Sequence, residues 1–369
     1  MSGPTLVVLA VGALVASSCA IVGTFLVLRR MALLGDAISH AVLPGIALAF
    51  MMTGSRAALP MVVGAGALGV VTVFLVEALH RSRRLKEDAS IGVVFPALFA
   101  IGVILVSRYT SQVDLDIDCV LYGEIAYAPL DTISAFGRNL GPKALWVTGA
   151  TLLVDLALVL LLYKELKMTS FDPALAAALG FSPVLVHYAL MSAVSVTVVG
   201  AFESVGAILV VAMLVVPPAA AYLLVERLSA MIALAVGLGI AATGLGYAFA
   251  RALDASIAGG IASAAGAIFV AAWIASPRHG VIVRVARNRA LARRLDGELL
   301  LLHLKDRAAA LPLDAVRRRF GWTGKKVGRV VAELESERLV TQDNGGLAIT
   351  PEGARSLETA GTAPLAHSG

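Results

Sequence analysis

The stretch that decides the fold is Arg29-Arg-Met-Ala-Leu-Leu-Gly-Asp-Ala-Ile-Ser-His-Ala-Val-Leu-Pro-Gly45, an apolar run that contains one acid, Asp36, and one imidazole, His40. At about 1.5 Å of helical rise per residue, Asp36 lies about 9 Å and His40 about 15 Å beyond Arg30. A spacing of four puts both side chains on one helix face. A carboxylate and an imidazole together suit Mn, Fe, Zn or Co better than soft Cu(I). The stretch therefore predicts a metal site inside a membrane-spanning helix.

The same pair has a structural alternative, in which Asp36 and His40 hydrogen-bond to each other and hold helices together. Ionisable residues inside membrane spans are rare and usually functional, which favours the metal site. Pro44 has no amide hydrogen, so the carbonyl oxygen of His40 loses its helical partner and becomes an additional ligand atom at the same depth. Because two side chains do not complete a coordination sphere, we expect water, other helices or a second subunit to supply the rest.

Proline and glycine positions mark candidate hinges in the apolar segments. Pro44 and Gly45 directly follow the metal pair, and Pro217 and Pro218 deprive two upstream carbonyl groups of their helical partners. Such prolines mark either a gating hinge or a packed kink. We take Pro44, Gly45 and Pro217 as the candidate gating positions.

Composition places the whole first part of the chain in a membrane. Hydrophobic residues make up 59% of the 369 residues, charged residues make up 15%, and the mean hydropathy is +0.87. Soluble domains are about half apolar and about a quarter charged. We predict an all-α polytopic membrane protein with about nine transmembrane helices, each near the roughly 20 residues that cross a bilayer. The predicted spans are Thr5–Leu28, Met31–Thr53, Ala57–Leu79, Ala89–Ser107, Leu145–Tyr163, Val184–Val199, Val205–Val225, Ala230–Ala250 and Ser256–Ala275.

Basic residues predict the orientation, because Lys and Arg near span ends accumulate on the cytoplasmic side. In the nine-span arrangement one side carries Arg29, Arg30, Arg81, Arg83, Arg84, Lys86, Lys164, Lys167, Arg227, Arg278 and Arg284. We therefore expect a multi-pass protein of the bacterial inner membrane, with its N-terminus outside and its C-terminal domain in the cytoplasm. The two cysteines, Cys19 and Cys119, indicate neither a disulfide framework nor a thiolate metal cluster.

Several motifs resemble one family in their residues and their order. They are Gly35–Gly45, Lys86–Gly92, Leu121–Ile125, Phe171–Gly180, Val205–Pro217 and Ser276–Gly280. Across residues 5 to 285 the chain resembles the ABC-3 family of zinc, manganese and iron ABC transporter permeases. The run Asp-x-Asp-x-Asp-Cys-Val-Leu-Tyr-Gly-Glu at 114–124 is more similar to the manganese or iron branch than to the zinc-only branch.

The resemblance implies an importer. It implies a divalent metal ion (Mn, Zn or Fe) as the transported substrate, with no permanently bound cofactor. An extracytoplasmic metal-binding protein would deliver the ion, and cytoplasmic ABC ATPase subunits would drive transport. The pore would need a second permease subunit, identical or related, within the lipid bilayer. The sequence itself contains no Gly-x4-Gly-Lys-Ser/Thr loop for nucleotide phosphates, so we do not expect the chain to be an enzyme.

The segment from Lys164 to Pro183 is the candidate for coupling to the ATPase. Ser170-Phe-Asp-Pro is typical of a helix start, and an Ala-rich run ends at Gly180, a typical C-cap. Such a short helix parallel to the membrane resembles the coupling helix of this transporter class, although an ordinary amphipathic connector has the same pattern. The candidate coupling residues are Phe171, Asp172, Pro173, Ala176, Leu179 and Gly180.

Three further polar residues lie in or near the spans. Glu203, placed in a tight outer turn that begins at Gly200, is a candidate for the outer part of the metal path. Asp155 in the fifth span and His187 near the inner start of the sixth are equally compatible with a structural role, satisfied by neighbouring helices or interfacial water.

The last part of the chain predicts a separate winged helix-turn-helix domain. Helical spacing, the turn Gly321-Trp-Thr-Gly324 and the hairpin signal Asn344-Gly-Gly346 give its pattern of three helices and a hairpin. We divide the chain into a transmembrane permease domain (1–283), a basic linker (284–294), the winged-helix domain (295–360) and a disordered tail (361–369).

Two other functions fit the same residues. Arg317, Arg318, Arg319, Lys325, Lys326 and Arg329 could contact phosphates, as in a membrane-tethered metal-responsive transcriptional regulator. The nearby acids and the membrane tether argue against this, so we do not expect nucleic acid as a partner. An ABC permease for a larger metal chelate is the second alternative, and it predicts transport that survives the loss of Asp36 and His40.

Overall fold

A computed structural model describes residues 3–54, 58–82, 85–109, 125–135, 138–277, 280–305, 310–343 and 346–362. The chain divides into two compact units, Met1–Pro277 and Arg278–Gly369. The division falls a few residues before the boundary at 283 that the sequence suggested. The acidic run at 114–124 lies outside the described residues.

The first unit is helical. Its helices are α1 (Gly3–Leu28), α2 (Ala32–Thr53), α3 (Ala58–Arg81), α4 (Glu87–Tyr109), α5 (Lys143–Leu161), α6 (Tyr163–Phe171), α7 (Pro173–Ala178), α8 (Pro183–Val205), α9 (Ala207–Leu224), α10 (Leu228–Ala252) and α11 (Ile257–Ala275). A short 3-10 helix (Ile125–Tyr127) and an antiparallel hairpin, β1 (Thr132–Ala135) with β2 (Arg138–Pro142), lie between α4 and α5.

Eight helices in the described part of the chain are long and apolar enough to cross a membrane. They are α1, α3, α4, α5, α8, α9, α10 and α11, and they agree with eight of the spans that hydropathy predicts. The remaining predicted span, Met31–Thr53, is the continuous 22-residue helix α2, whose apolar part Pro44–Thr53 is shorter. Membrane-length helices therefore account for more than half of the first unit.

The second unit is a small helical domain with a three-stranded sheet. Its elements are α12 (Val281–Lys305), β3 (Leu311–Pro312), α13 (Leu313–Phe320), α14 (Gly324–Ser336), β4 (Val340–Asp343), β5 (Gly346–Ile349) and α15 (Pro351–Thr362). The sheet order is β3-β5-β4, with antiparallel pairs. Leu300, Leu304, Val316, Leu334 and Leu347 form its buried core. The basic stretch 284–294 belongs to α12, because no proline interrupts the helix between Val281 and Lys305.

Helix α1 forms the centre of the first unit. Val11, Val15, Cys19, Phe25 and Leu26 are at most 1% exposed, and α1 packs against α5, α8, α9 and α10. Every residue from Val15 to Leu26 is buried, and this burial on all sides is the reason that this part of α1 shows no polar face.

A buried polar contact joins α1, α5 and α8 in the middle of the bundle. Asp155 of α5 is fully buried and accepts a hydrogen bond from the Ser18 hydroxyl of α1. The Thr197 hydroxyl of α8 lies 2.9 Å and 2.8 Å from the two carboxyl oxygens of Asp155. A buried carboxyl is tolerated in an apolar interior only when such partners are present. The contacts support the structural role for Asp155.

Helix α2 approaches its neighbours at glycines. A Cβ atom on Gly45 would lie 2.5 Å from the carbonyl oxygen of Gly64 in α3, and one on Gly64 would lie 2.6 Å from the carbonyl oxygen of Gly45. On the other side, a Cβ atom on Gly35 would lie 2.1 Å from the side chain of Leu214 in α9. Small residues allow this close helix packing inside membranes. The glycines therefore fix α2 between α3 and α9.

The polar contact at Asp155 predicts different effects for two adjacent serines of α1. Ser18→Ala should lower the stability of the purified protein by about 1–2 kcal/mol, because it removes a bond between helices. Ser17→Ala is the matched control, since the Ser17 hydroxyl bonds only the Ala13 carbonyl of its own helix among its described contacts. Thermal stability in detergent, followed by size-exclusion chromatography after heating, measures the difference. Equal melting temperatures for the two variants would contradict the role assigned to Asp155.

The backbone contact between α2 and α3 predicts that Gly45→Ala destabilises the protein by about 1–3 kcal/mol, because the added methyl group meets backbone atoms that cannot move aside. Gly244→Ala in α10 is the control, since a Cβ atom there meets nothing within 4 Å. That control should be neutral or slightly stabilising, because alanine favours helix over glycine. The same heating assay applies, and a Gly45→Ala protein as stable as the Gly244→Ala protein would refute the close contact.

Candidate metal site and contacts at the end of the bundle

Three residues separate the end of α1 from the start of the candidate metal helix α2. Asp36 lies in its second turn and is half-buried. Position 40 follows one turn later, so helical register places positions 36 and 40 on one face, as the sequence predicts. Leu34, Ala37, Ile38 and Ala41 are at most 1% exposed. Most of these buried residues lie on the opposite face, which packs into the bundle.

The N-terminal part of the Asp36 face is left uncovered by the residues of the first unit that the structure describes. Leu33 precedes position 40 by seven residues, which is close to two helical turns, and it is 57% exposed. Pro44 and Ala47, farther along the helix, are buried. The candidate metal positions therefore lie where an open surface of the helix meets a packed one.

Helix α2 continues through Pro44 without a break. Because proline has no amide hydrogen, the carbonyl oxygen of residue 40 receives no helical hydrogen bond from residue 44. Among the described residues no three His, Cys, Asp or Glu side chains lie together in a way that could hold a metal ion. A complete coordination sphere around Asp36 would therefore need water, backbone oxygens or ligands beyond the described side chains.

Glu203 lies in a different place from the one expected. The residues from Gly200 onward do not form a turn, because α8 continues to Val205 and ends at Gly206, whose φ is 81°. Gly200 is a packing residue instead, since a Cβ atom there would lie 2.8 Å from the Thr151 hydroxyl oxygen. Glu203 thus belongs to the last turn of α8. Its side chain lies outside the described part of the chain, and its place in the metal path stays a prediction.

The proline pair of α9 lies about one turn after Leu214, which contacts both α1 and the metal helix α2. Pro217 and Pro218 are buried inside the continuous helix α9. Proline at 218 leaves the Leu214 carbonyl without a helical partner, and a Cβ atom on Gly23 of α1 would lie 1.9 Å from that oxygen. The Leu214 side chain packs on Gly35, the residue before Asp36. Any movement at the prolines would therefore act directly on α2.

The predicted short helix before Gly180 is present as α7. The Asp172 side chain caps it by accepting a hydrogen bond of 2.9 Å from the Leu175 amide, and Pro173 occupies the first turn. Gly180 ends it with a φ of 88°, which a residue with a side chain rarely adopts. Ala176 faces inward and is fully buried. The local fold of this segment therefore follows from its capping residues.

The exposed surface of the same segment is apolar. Phe171 is 61% exposed, Leu175 is 50% exposed and Leu179 is 58% exposed. These three side chains lie between the membrane-length helices α5 and α8, in a connection that also carries exposed lysines at 164 and 167. Large apolar side chains exposed together in one connection mark a candidate surface for another protein.

A polar cluster lies at one end of the bundle, beside a cavity of about 470 Å³. Glu77 of α3 pairs with Arg81 at 2.6 Å, and its other oxygen lies 3.9 Å from Nε2 of His187 in α8. Arg29 donates to the hydroxyl groups of Thr169 and Ser170 in α6. Burial lowers the pKa of Arg29, which nevertheless remains charged.

Sequence reasoning missed two parts of this geometry. Glu77 is an ionisable residue within an apolar helix, and that signal was sufficient to single it out. The contact of Arg29 with α6 joins residues that are 140 positions apart, and nothing in the local pattern indicated it.

Comparison with known proteins finds relatives that are named for metal transport. The manganese transport system membrane protein MntD of Bacillus subtilis is 50% identical over 281 residues, which cover 76% of this chain and 95% of that protein. The zinc transport system membrane protein TroD of Treponema pallidum is 42% identical over 355 residues, which cover 95% of this chain and 96% of that protein.

A solved structure, PsaBC from Streptococcus pneumoniae in complex with Fab, matches with a TM-score of 0.63 and 30% identity, covering 76% of this chain and 94% of the matched chain. The model of the ABC 3 transport family matches residues 4–276, which is nearly all of the first unit. The chain therefore belongs to the ABC 3 transport family.

Proposed function

We propose that the chain is the membrane permease subunit of an ATP-driven importer of divalent transition-metal ions, with manganese as the first candidate and zinc or iron next. The observation that carries the proposal is the placement of Asp36 and position 40 on one face of α2, at the edge of an open surface and between glycine contacts. Ionisable residues at such depth usually serve transport. Relatives named for manganese and zinc transport support the choice of ion.

In this proposal α2 also crosses the membrane, so that the chain has nine transmembrane helices in total. Its 22 residues are about 33 Å long, which is sufficient to cross the hydrocarbon core. The N-terminus lies outside and the C-terminal unit lies in the cytoplasm of the bacterial inner membrane. This orientation places Arg29, α6 and α7 on the cytoplasmic side, in agreement with the distribution of basic residues.

The open part of the α2 face fits a second permease subunit. Leu33 is exposed and Asp36 is half-buried within one chain, so a partner permease would complete both the apolar packing and the coordination sphere. An extracytoplasmic metal-binding protein would deliver the ion from the outside, with Glu203 and the hinge positions Pro44, Gly45 and Pro217 along its path. Pro217 lies three residues after Leu214, whose side chain packs on Gly35 of α2, and this proximity supports the assignment of Pro217 to gating.

The segment of α6 and α7 is the proposed contact for the cytoplasmic ABC ATPase subunits. Its exposed apolar side chains, Phe171, Leu175 and Leu179, would be covered by the ATPase, while Asp172, Pro173 and Gly180 fix the shape of the short helix. The chain itself would not hydrolyse ATP.

For the second unit we propose a winged helix-turn-helix. The order helix, strand, helix, helix, hairpin and the sheet order β3-β5-β4 support this assignment. Its exposed cations at 317–319, 325 and 329 are followed by exposed acids at 333, 335 and 337. Lys326 is already engaged by Asp296 at 2.7 Å and by the Trp322 ring. We therefore assign a regulatory or ATPase-contacting role to this unit and do not expect nucleic acid as its partner.

The metal site predicts a selective loss of transport. Asp36→Asn and His40→Ala should each lower uptake of the native ion roughly tenfold or more. Loss of a group that only hydrogen-bonds to a metal ligand already lowers metal affinity or activity about tenfold, and loss of a ligand should cost at least as much. Asp88→Asn, at the exposed start of α4, is the control and should transport normally. Uptake of radioactive or isotopically labelled Mn, Zn and Fe by cells with matched permease levels gives the measurement. Normal uptake by both variants would favour a larger chelate as substrate.

The coupling segment predicts a loss of assembly. The double variant Phe171→Ala with Leu175→Ala should retain its membrane insertion but lose most of its co-purifying ATPase, because the two side chains supply apolar contact area. Trp146→Ala with Leu153→Ala in α5 is the control, since these side chains are similarly exposed, at 57% and 68%, in a membrane-length helix. Quantitative co-purification from membranes measures assembly. Equal ATPase recovery in both variants would exclude this surface.

A further inference from the structure

The connection between α1 and α2 is a rigid joint. The amide of Arg30 donates to the Val27 carbonyl at 3.1 Å, and the amide of Met31 donates to the Leu26 carbonyl at 2.9 Å. Arg30 adopts a φ of 62°, the left-handed conformation that closes such a helix end. The amide of Leu34 then donates to the Met31 carbonyl at 3.1 Å, so α2 starts at once. Movement of this joint therefore moves α2.

The Arg29 side chain ties this joint to α6. Its Nε donates to the Ser170 hydroxyl at 3.1 Å, and its Nη2 donates to the Thr169 hydroxyl at 2.8 Å. Thr169 is buried and donates its own proton to the Glu165 carbonyl at 2.7 Å. Its hydroxyl oxygen is thus held in place as an acceptor. The planar guanidinium fits two neighbouring acceptors, which a lysine ammonium does not match in geometry.

The two acceptors lie directly before the exposed apolar surface. Ser170 precedes Phe171, and the capped helix α7 follows at Pro173. In the direction of the metal site, Asp36 lies seven residues after Arg29, in α2, the helix that follows the joint. Arg29 therefore connects the proposed ATPase contact with the proposed metal helix through two direct hydrogen bonds.

We propose that Arg29 is a positioning residue that transmits movement of the ATPase-contacting segment to α2 and its metal site, an inference that rests on the proposed function. Arg29 touches neither the metal nor ATP. Its loss should therefore separate ATP hydrolysis from metal movement, whereas a residue that serves only stability would reduce both together.

The test uses the complete complex of permease, ATPase and binding protein in proteoliposomes. Arg29→Lys, and separately Thr169→Val with Ser170→Ala, should lower metal import per ATP hydrolysed about fivefold or more, which is the size of a typical coupling between sites. Basal ATP hydrolysis and complex assembly should stay at the native level. Combining all three substitutions should add little further loss, because both sets remove the same contact.

Two controls match these variants. Arg30→Lys changes the adjacent arginine, and Thr148→Val changes a buried threonine whose described bond goes to its own helix at the Ala144 carbonyl. Both should keep the native import-to-ATP ratio. A native ratio in Arg29→Lys, additive losses in the combined variant, or loss of assembly by Arg29→Lys would each overturn the proposal. Absence of metal import by the native complex would instead contradict the proposed function, so the two failures are distinguishable.

Discussion

The close backbone contact between α2 and α3 at Gly45 and Gly64 is the constraint on which the rest of the site depends. Neither position has room for a methyl group, and Gly35 meets Leu214 on the other side. Inside a bilayer, where lipid is as apolar as a leucine side chain, packing of this kind is a principal force between helices. It fixes the rotation of α2 and therefore decides which of its faces stays open at Asp36.

Two sets of contacts converge on α2 from different parts of the chain. Pro218 leaves the Leu214 carbonyl without a helical partner, this oxygen lies against Gly23, and the Leu214 side chain lies on Gly35. At the start of the helix, Arg29 joins the α1–α2 joint to α6. The buried bonds of Asp155 with Ser18 and Thr197 hold α1, α5 and α8 together. A rigid core thus supports α2. The contacts from α9 and from α6 are the places where movement of a neighbouring helix would act on α2.

The sequence predicted the parts of this arrangement that local physics determines. Hydropathy located eight membrane-length helices, helical register placed Asp36 and His40 on one face, and capping chemistry at Asp172 and Gly180 located the short helix α7. It misplaced the turn near Glu203, because Gly200 has a packing role that no local pattern separates from a turn. Contacts between distant positions, such as Arg29 with Thr169 or Gly35 with Leu214, depend on tertiary packing and had no local signal.

The proposed transport depends on binding of the ion at Asp36 and His40. Pulsed electron paramagnetic resonance of Mn²⁺ bound to the purified permease tests it directly, because an imidazole ligand adds a nitrogen coupling to the manganese spectrum. We expect this nitrogen signal in the native protein, its loss in His40→Ala, and weaker manganese binding in Asp36→Asn. An unchanged nitrogen signal in His40→Ala, or native affinity in Asp36→Asn, would show that the ion binds elsewhere.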